Sequence, residues 1–198
     1  MSARVPGYYT RHWFMMYRTM IDPAIGALLA GAFALLFLSA ALQKLRSPER
    51  FAELFRAYRV LPEGVARLSW LVPLLELTTG VALLAGSSRA GGCAMGAVLL
   101  LGYAAAMAIN LHRGRRDLAC GCGAPDERRA IAEWMVWRNL LFAGLLAAML
   151  LPWRTRVMTA ADALTIGAGT AVAALLYMSL DRLLGRVRPG NALLGGPQ

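Results

Sequence analysis

The sequence predicts an all-α integral membrane protein with five transmembrane helices and one amphipathic interfacial helix. Hydrophobic residues make up 58% of the 198 positions and charged residues 16%, whereas soluble domains have roughly 45–50% and about 25%. The mean hydropathy is +0.51. This composition excludes a disordered chain, a collagen-like chain, a disulfide-rich scaffold and an ordinary cytosolic enzyme.

Five apolar segments are each long enough to cross a bilayer. A transmembrane helix needs about 20 mostly apolar residues, because hydrocarbon offers no hydrogen-bond partner to the backbone. The segments are Pro23–Gln43, Leu68–Ser88, Ala90–Leu111, Trp134–Trp153 and Val157–Leu180. Their only charged residues are Glu76, Arg138 and Asp162.

These segments divide the chain into four parts. We expect a juxtamembrane leader at residues 1–22 and a four-helix membrane domain at residues 23–153. An additional transmembrane helix follows within residues 154–188, and the Gly- and Pro-containing tail, 189–198, is expected to be disordered.

A short amphipathic helix is predicted between the first two spans. Ser47 can cap it, Pro48 suits its first position and Pro62 ends it. Its apolar residues recur at helical spacing and are Phe51, Leu54, Phe55 and Tyr58. A helix of this kind lies in the membrane interface or packs on the bundle, and we interpret it as an anchor.

The net charge of +10 comes from 21 basic residues, of which Lys44 is the only lysine. They lie almost entirely between the apolar segments, where such residues contact lipid headgroups, so no nucleic-acid partner is expected. Fourteen lie on the side of the cysteine-containing loop and six on the other side. The positive-inside rule therefore places that loop in the cytoplasm, whereas redox chemistry on exported proteins needs it outside. The sequence therefore leaves both sides of the membrane open as the location of this loop.

Two of the three cysteines lie in the connection between spans three and four, residues 112–130, which we call the cysteine segment. Cys120 and Cys122 enclose Gly121, and glycine permits the unusual backbone angles that a small disulfide ring requires. Strained disulfides are more oxidising and exchange more readily than structural ones. Basic residues flank the pair and would favour the thiolate; they are Arg113, Arg115, Arg116, Arg128 and Arg129. The segment is therefore predicted to be a dithiol–disulfide exchange centre.

Two other interpretations of the cysteine pair are kept open. The thiols could be incidental and reduced. With His112 they could offer three metal ligands, although zinc usually takes four and the surrounding positive charge disfavours a cation, so we predict no metal. Cys93 lies at the other end of span three, roughly 25–30 Å away, and is interpreted as a small buried apolar residue.

An intramembrane polar site is the second candidate. Charge inside a membrane is costly and marks a functional hypothesis. Glu76 lies about 12 Å into span two, and Arg138 lies about one turn into span four from the same side, so the two could pair across the bundle. Asn139 and Asn110 could add hydrogen bonds. Such a site could carry a proton or a substrate beside the cysteines, or could simply fix the packing of the helices.

Several motifs resemble the methylamine-utilisation MauE family, which belongs with the DoxX-like four-helix membrane proteins. The resemblance covers about residues 25–150 and keeps the order and spacing of the motifs. They are Phe37–Leu45, Pro48, Phe51, Tyr58–Pro62, Pro73–Gly80, Asn110, Arg113–Arg115, Cys120–Gly123 and Arg138–Asn139. One departure is Gly123, where an aromatic residue is expected after the second cysteine.

The resemblance implies a four-helix DoxX-like bundle in the bacterial cytoplasmic membrane, with the fifth span added at its C-terminal end. It implies a role in maturing the exported, disulfide-rich small subunit of methylamine dehydrogenase, together with a thioredoxin-like partner, MauD. Cys120 and Cys122 are then the redox pair, and Glu76, Arg138 and Asn139 fall on the family's intramembrane polar positions.

The leading functional hypothesis is a membrane thiol–disulfide oxidoreductase or relay, with a quinone as an electron acceptor by analogy to other four-helix disulfide catalysts. The alternatives are a non-catalytic scaffold that recruits a partner through the amphipathic helix, and a metal-delivery protein.

Overall fold

The computed structural model describes residues 22–60, 62, 64, 67–118, 130–151 and 156–186. Within these ranges the chain folds into six α-helices, which we number in chain order. They are α1 (Pro23–Arg46), α2 (Pro48–Ala57), α3 (Leu71–Leu84), α4 (Arg89–His112), α5 (Glu133–Ala148) and α6 (Ala160–Arg186). A single 3-10 turn, Arg67–Trp70, leads directly into α3. The predicted all-α class is confirmed.

Four helical stretches in the described ranges are long and apolar enough to span a membrane. They are Pro23–Arg46, Arg67–Leu84, Arg89–His112 and Ala160–Leu180. The fourth predicted span coincides with α5, whose 16 residues extend only about 24 Å. The amides of Leu150 and Leu151 then donate to carbonyls three residues earlier, at 3.1 Å each. These 3-10 hydrogen bonds extend the segment to about 30 Å, the thickness of the hydrocarbon core.

Helices α1, α3, α4 and α5 share one core, and α6 lies outside it. Helix α1 packs against α3 and α6, and α4 packs against α3 and α5. The most buried core side chains include Phe37, Leu83, Cys93 and Leu146, so the interpretation of Cys93 as a small buried apolar residue is confirmed. No residue of α6 between 160 and 180 is buried. This helix therefore packs on the outside of the bundle, against α1 and, through Tyr177, against Phe142 of α5.

Helix α2 lies across one end of the bundle, as the amphipathic pattern predicted. It begins at Pro48, but Ser47 makes no side-chain cap; the Ser47 carbonyl instead accepts from the amide of Phe51 at 3.1 Å. The helix ends at Ala57, and Arg59 takes the left-handed conformation with φ +48°. The prediction that Pro62 ends the helix is wrong, because the left-handed residue breaks it several positions earlier.

Helices α3 and α4 approach each other closely at Gly92. A Cβ atom at this position would lie 2.9 Å from the backbone nitrogen of Leu83 and 3.1 Å from the carbonyl carbon of Ala82. Backbone atoms cannot rotate away, so any side chain here must push the two helices apart. The neighbouring Gly91 has no such contact within 4 Å.

The substitution Gly92→Ala is expected to destabilise the protein by about 1–3 kcal/mol through overpacking. Gly91→Ala is the matched control, because it gains the same helix propensity in open space and should be neutral or stabilising by up to about 1 kcal/mol. Thermal unfolding of detergent-purified protein followed by circular dichroism measures both. Equal melting temperatures for the two variants would contradict the close helix approach.

At the end of the bundle opposite α2, Arg156 joins α1 to α6. Its guanidinium donates to both carboxylate oxygens of Asp22 at 2.9 Å and to those of Asp162 at 2.6 and 2.7 Å. The hydrogen bond from Arg156, together with one from the amide of Ala24, holds the pKa of Asp22 below its ordinary value of 3.8. The same carboxylates raise the pKa of Arg156, so this ion triad is fully charged at neutral pH.

We expect the Asp22 ion pair to be lost in acid. Because the pKa of Asp22 is lowered on folding, its stabilising contribution is complete well above 3.8 and disappears as the pH falls through the lower, folded value. Asp22→Asn keeps a residue that can cap α1 but removes the charge. Wild type should therefore melt above Asp22→Asn at pH 7, and the gap should close below pH 3.8. A gap that persists unchanged in acid would contradict this assignment.

Candidate functional site

The buried charge of the bundle is concentrated in one ion pair between α1 and α3. The ammonium of Lys44 donates to the two carboxylate oxygens of Glu76 at 2.6 and 2.8 Å. The two side chains are only 7% and 1% exposed. Glu76, a predicted site residue, therefore has a cation partner on the neighbouring helix.

Two aromatic residues complete the surroundings of this pair. The hydroxyl of Tyr103 on α4 donates to Glu76 at 2.7 Å. The Lys44 ammonium also lies 5.5 Å from the ring centroids of Tyr103 and Phe51, a distance at which a ring face attracts a cation. Phe51 belongs to α2, so the pair connects α1, α3 and α4 and is contacted by the interfacial helix.

The inward direction of the Lys44 side chain follows from its place near the C-terminal end of α1. Helical side chains lean toward the N-terminus of their own helix, which here is toward the bundle interior. Lys44 lies two residues before the end of α1. Its compact ammonium sits on a flexible stem, which is long enough to reach Glu76. Lys44 is the chain's only lysine, and it occupies this buried position.

The predicted pairing of Glu76 with Arg138 is wrong. Helix α3 packs between α1 and α4, and the extensive contacts of α5 are with α4, so Glu76 faces α1. The Arg138 guanidinium instead lies 5.0 Å from the ring centroid of Trp134 and 5.5 Å from that of Tyr177. Asn139 is buried, and its amide donates to the carbonyl of Met135 in its own helix at 2.8 Å. The predicted polar residues thus do not form one site.

Sequence reasoning missed Lys44 and Tyr103 as partners of Glu76. The signal for Lys44 was its uniqueness among 21 basic residues together with its position beside an apolar span. Tyr103 gave no such signal, because a tyrosine in a transmembrane segment is ordinary unless the acceptor of its hydroxyl is known.

Leu118 and Ile131, which lie before and after the two cysteines in sequence, are joined by a hydrogen bond that we call the neck. The amide of Ile131 donates to the carbonyl of Leu118 at 2.9 Å. Both residues are buried with Met107 and Met135 in a small apolar cluster, against which Ala57 of α2 and Tyr58, the residue after it, pack. Arg116, predicted to favour the thiolate, pairs with Glu133 across the neck at 2.8 Å, where both side chains are mostly exposed. Cys120, Gly121 and Cys122 lie outside the described residues.

The sequence before the neck explains how α4 ends. Gly114 has φ +73°, and its amide donates to the carbonyl of Leu111 at 3.0 Å, while the amide of Arg115 donates to that of Asn110 at 3.0 Å. This pair of bonds is a Schellman motif, which requires a left-handed residue that glycine adopts without strain. The chain therefore turns sharply where α4 ends, at Gly114.

Over the described ranges, no three His, Cys, Asp or Glu side chains lie close enough together to hold a metal ion.

Comparison with known proteins identifies the family. The family model for methylamine utilisation protein MauE matches residues 22–154. A MauE protein of Paracoccus denitrificans is 36% identical over 169 residues, which cover 84% of this chain and 90% of the relative. The chain belongs to the MauE family. A MauE protein of Methylorubrum extorquens is 35% identical over 186 residues, 93% of this chain and 94% of the relative.

The resemblance seen in the motifs is thus confirmed, and this MauE-family chain is a multi-pass membrane protein of methylamine utilisation. A third relative, from Methylophilus methylotrophus, is 33% identical over 167 residues, 83% of this chain and 88% of the relative. No solved structure matches the chain. The family match ends before α6 begins, so the bundle of α1 to α5 is the part that the family model covers.

Replacing one member of the buried ion pair is expected to lower the free energy of unfolding more than replacing both members. Lys44→Met or Glu76→Gln alone leaves one buried charge without its partner and should destabilise by about 3–5 kcal/mol. The double variant leaves no charge, and its loss should be smaller than either single loss. The unfolding free energies of the wild type, the two single variants and the double variant, measured in mixed micelles, complete this double-mutant cycle.

Tyr103→Phe is the control for this cycle, because it keeps both charges and removes only one hydrogen bond, worth about 1.5–3 kcal/mol. If the losses of Lys44→Met and Glu76→Gln simply add in the double variant, the two charges are not coupled.

Proposed function

We propose that this protein is a membrane thiol–disulfide exchange protein in which Cys120 and Cys122 form the redox pair. Its substrate is an exported, disulfide-rich protein of methylamine utilisation, of which the small subunit of methylamine dehydrogenase is the expected example. A thioredoxin-like protein of the MauD type is its proposed redox partner, and the bacterial cytoplasmic membrane its proposed location.

The observation that carries the proposal is a Cys-Gly-Cys sequence beyond a neck closed by the Leu118–Ile131 hydrogen bond. Cys120 follows Leu118 by two residues, a length of chain that reaches at most about 7 Å. The covalent chain thereby tethers the pair to the end of the bundle. In this proposal, the pair meets its substrate at that end of the bundle.

The exchange chemistry balances without any other group. A thiolate of the substrate attacks one sulfur of the Cys120–Cys122 disulfide, forming a mixed disulfide and releasing the other cysteine as a thiolate. The second substrate thiolate then attacks the mixed disulfide, leaving the substrate oxidised and both cysteines reduced. The partner's disulfide reoxidises the pair by the same two attacks, so two electrons and two protons pass from substrate to partner.

A membrane quinone is the alternative acceptor for the electrons of the reduced cysteine pair. The carboxylate of Glu76 already accepts hydrogen bonds from Lys44 and Tyr103, so the best-defined intramembrane polar group is occupied by the protein's own residues. These residues do not fit a quinone site, and no step is assigned to a quinone.

The test of this function is to trap the mixed disulfide. Replacing Cys120 or Cys122 by Ser leaves one thiol that can attack the disulfide of the oxidised thioredoxin-like partner, but no second thiol to resolve the mixed disulfide, so at least one of these variants should accumulate a covalent adduct with that partner. Non-reducing electrophoresis of acid-quenched cells detects the adduct, and reductant should release it. Cys93→Ala is the matched control, because Cys93 is buried in the core and its loss should trap nothing.

Two outcomes would overturn the proposal. The first is that neither serine variant traps a partner. The second is that a double Cys120→Ala, Cys122→Ala variant still supports growth on methylamine, which would favour a non-catalytic scaffold. Labelling intact cells with a membrane-impermeant thiol reagent, before and after reduction, reports the side of the membrane on which the pair lies.

A further inference from the structure

Three arginines lie together where α2 and α4 end. The guanidinium of Arg113 donates to the carbonyl of Arg59 at 3.0 Å. The guanidinium of Arg115 donates to the side-chain oxygen of Asn110 at 3.0 Å. The amide of Asn110 donates in turn to the carbonyl of Tyr58 at 3.0 Å. Arg113 directly, and Arg115 through Asn110, are therefore held against the two residues that follow α2.

No carboxylate neutralises this arginine cluster within the described part of the chain. None of the ion pairs between described residues includes Arg59, Arg113 or Arg115. The acceptors of Arg113 and Arg115 are uncharged oxygens, and each of these bonds uses one of the five N–H groups of its guanidinium. The cluster therefore keeps its full positive charge and has N–H donors left for an anion from outside the chain.

The cluster follows directly on a helix that is long and apolar enough to span a membrane. That helix, α4, ends at His112, one residue before Arg113. Beside it, the apolar side chains of the amphipathic α2 are only half-buried, as in a helix that lies in the membrane interface. The anion found at this level is the phosphate of a phospholipid, and the planar guanidinium fork matches phosphate oxygens bidentately.

We infer that Arg59, Arg113 and Arg115 form a binding site for the phosphate of an anionic phospholipid, at the joint between α2 and α4. The site takes a lipid of net negative charge, such as phosphatidylglycerol, because a zwitterionic headgroup brings its own cation to the phosphate. At the opposite end of the bundle, Arg156 already lies between two carboxylates and needs no such partner. The inference does not depend on the proposed exchange function.

The experiment follows thermal unfolding of the full-length protein in detergent micelles, at about 0.15 M salt so that interactions between distant exposed charges are screened. Phosphatidylglycerol, phosphatidylcholine or sodium phosphate is titrated into separate samples. A ligand that binds only the folded protein raises its melting temperature. Phosphatidylglycerol should therefore raise the melting temperature to a plateau, at a lower concentration than phosphatidylcholine, whereas sodium phosphate at the same concentrations should leave it unchanged.

Two glutamine variants compare the site with a matched arginine. Arg113→Gln removes one charge and keeps an amide donor, and the phosphatidylglycerol concentration that gives half of the plateau should increase by about tenfold. Arg116→Gln is the control, because it removes the same charge three residues later. Its guanidinium already pairs with Glu133 at 2.8 Å, so the half-plateau concentration should increase by less than about twofold.

A third variant, Arg59→Gly, tests the site without altering Arg113. Arg59 has φ +48°, which glycine adopts without strain. The variant therefore keeps the carbonyl that holds Arg113 and loses only the cationic side chain. Its half-plateau concentration of phosphatidylglycerol should increase by about threefold or more.

Three results would overturn the lipid site. The first is equal stabilisation by phosphatidylglycerol and phosphatidylcholine. The second is equal stabilisation by sodium phosphate, which would indicate a site for a soluble anion. The third is an equal shift in Arg113→Gln and Arg116→Gln, which would show that only the net charge matters. If Arg113→Gln does not fold, the comparison of Arg59→Gly with Arg116→Gln decides in its place.

Discussion

Hydrocarbon cannot solvate charge, and the ion pair between Lys44 and Glu76 shows how this protein meets that constraint. An ammonium or a carboxylate alone in the bundle would be strongly destabilising. Together, with the Tyr103 hydroxyl as a third partner, they are tolerated only when α1, α3 and α4 sit in one relative position. A wholly apolar interface would allow these helices to slide or rotate at little cost. We interpret the pair as a determinant of packing specificity, because it fixes the ends of α1 and α4 relative to α3.

The position of those ends determines where α2 can lie. Helix α2 starts one residue after α1 ends, and its ten residues extend about 15 Å. Its first turn brings Phe51 over the Lys44 ammonium. The carbonyls of Tyr58 and Arg59, just after its last residue, accept from Asn110 of α4 and from Arg113, the residue after α4. The helix buries no residue completely. Its position is thus set by contacts at its two ends, which belong to the bundle and to the cysteine segment.

The sequence predicted the parts of this fold that depend on local pattern. Length and hydropathy located the spans, and helical spacing of Phe51 to Tyr58 located α2. Partner choice was not predictable in the same way: Glu76 pairs with Lys44 rather than Arg138 because α3 packs against α1, a fact of tertiary arrangement. The end of α2 at Ala57, followed by the left-handed Arg59, was missed for a related reason. A left-handed arginine is unfavourable by itself and is stabilised here by donors more than fifty residues away in sequence.

The arginines at the two ends of the bundle have different hydrogen-bond acceptors. At the end opposite α2, Arg156 lies between two carboxylates, so its charge is cancelled locally and serves to join helices. At the cysteine end, Arg113 and Arg115 donate to amide and carbonyl oxygens, which hold a guanidinium in place without neutralising it. Arg116 does pair with Glu133, but both side chains are more than 60% exposed and water screens such a pair. Fixed and uncancelled positive charge is the environment that favours a thiolate over a thiol.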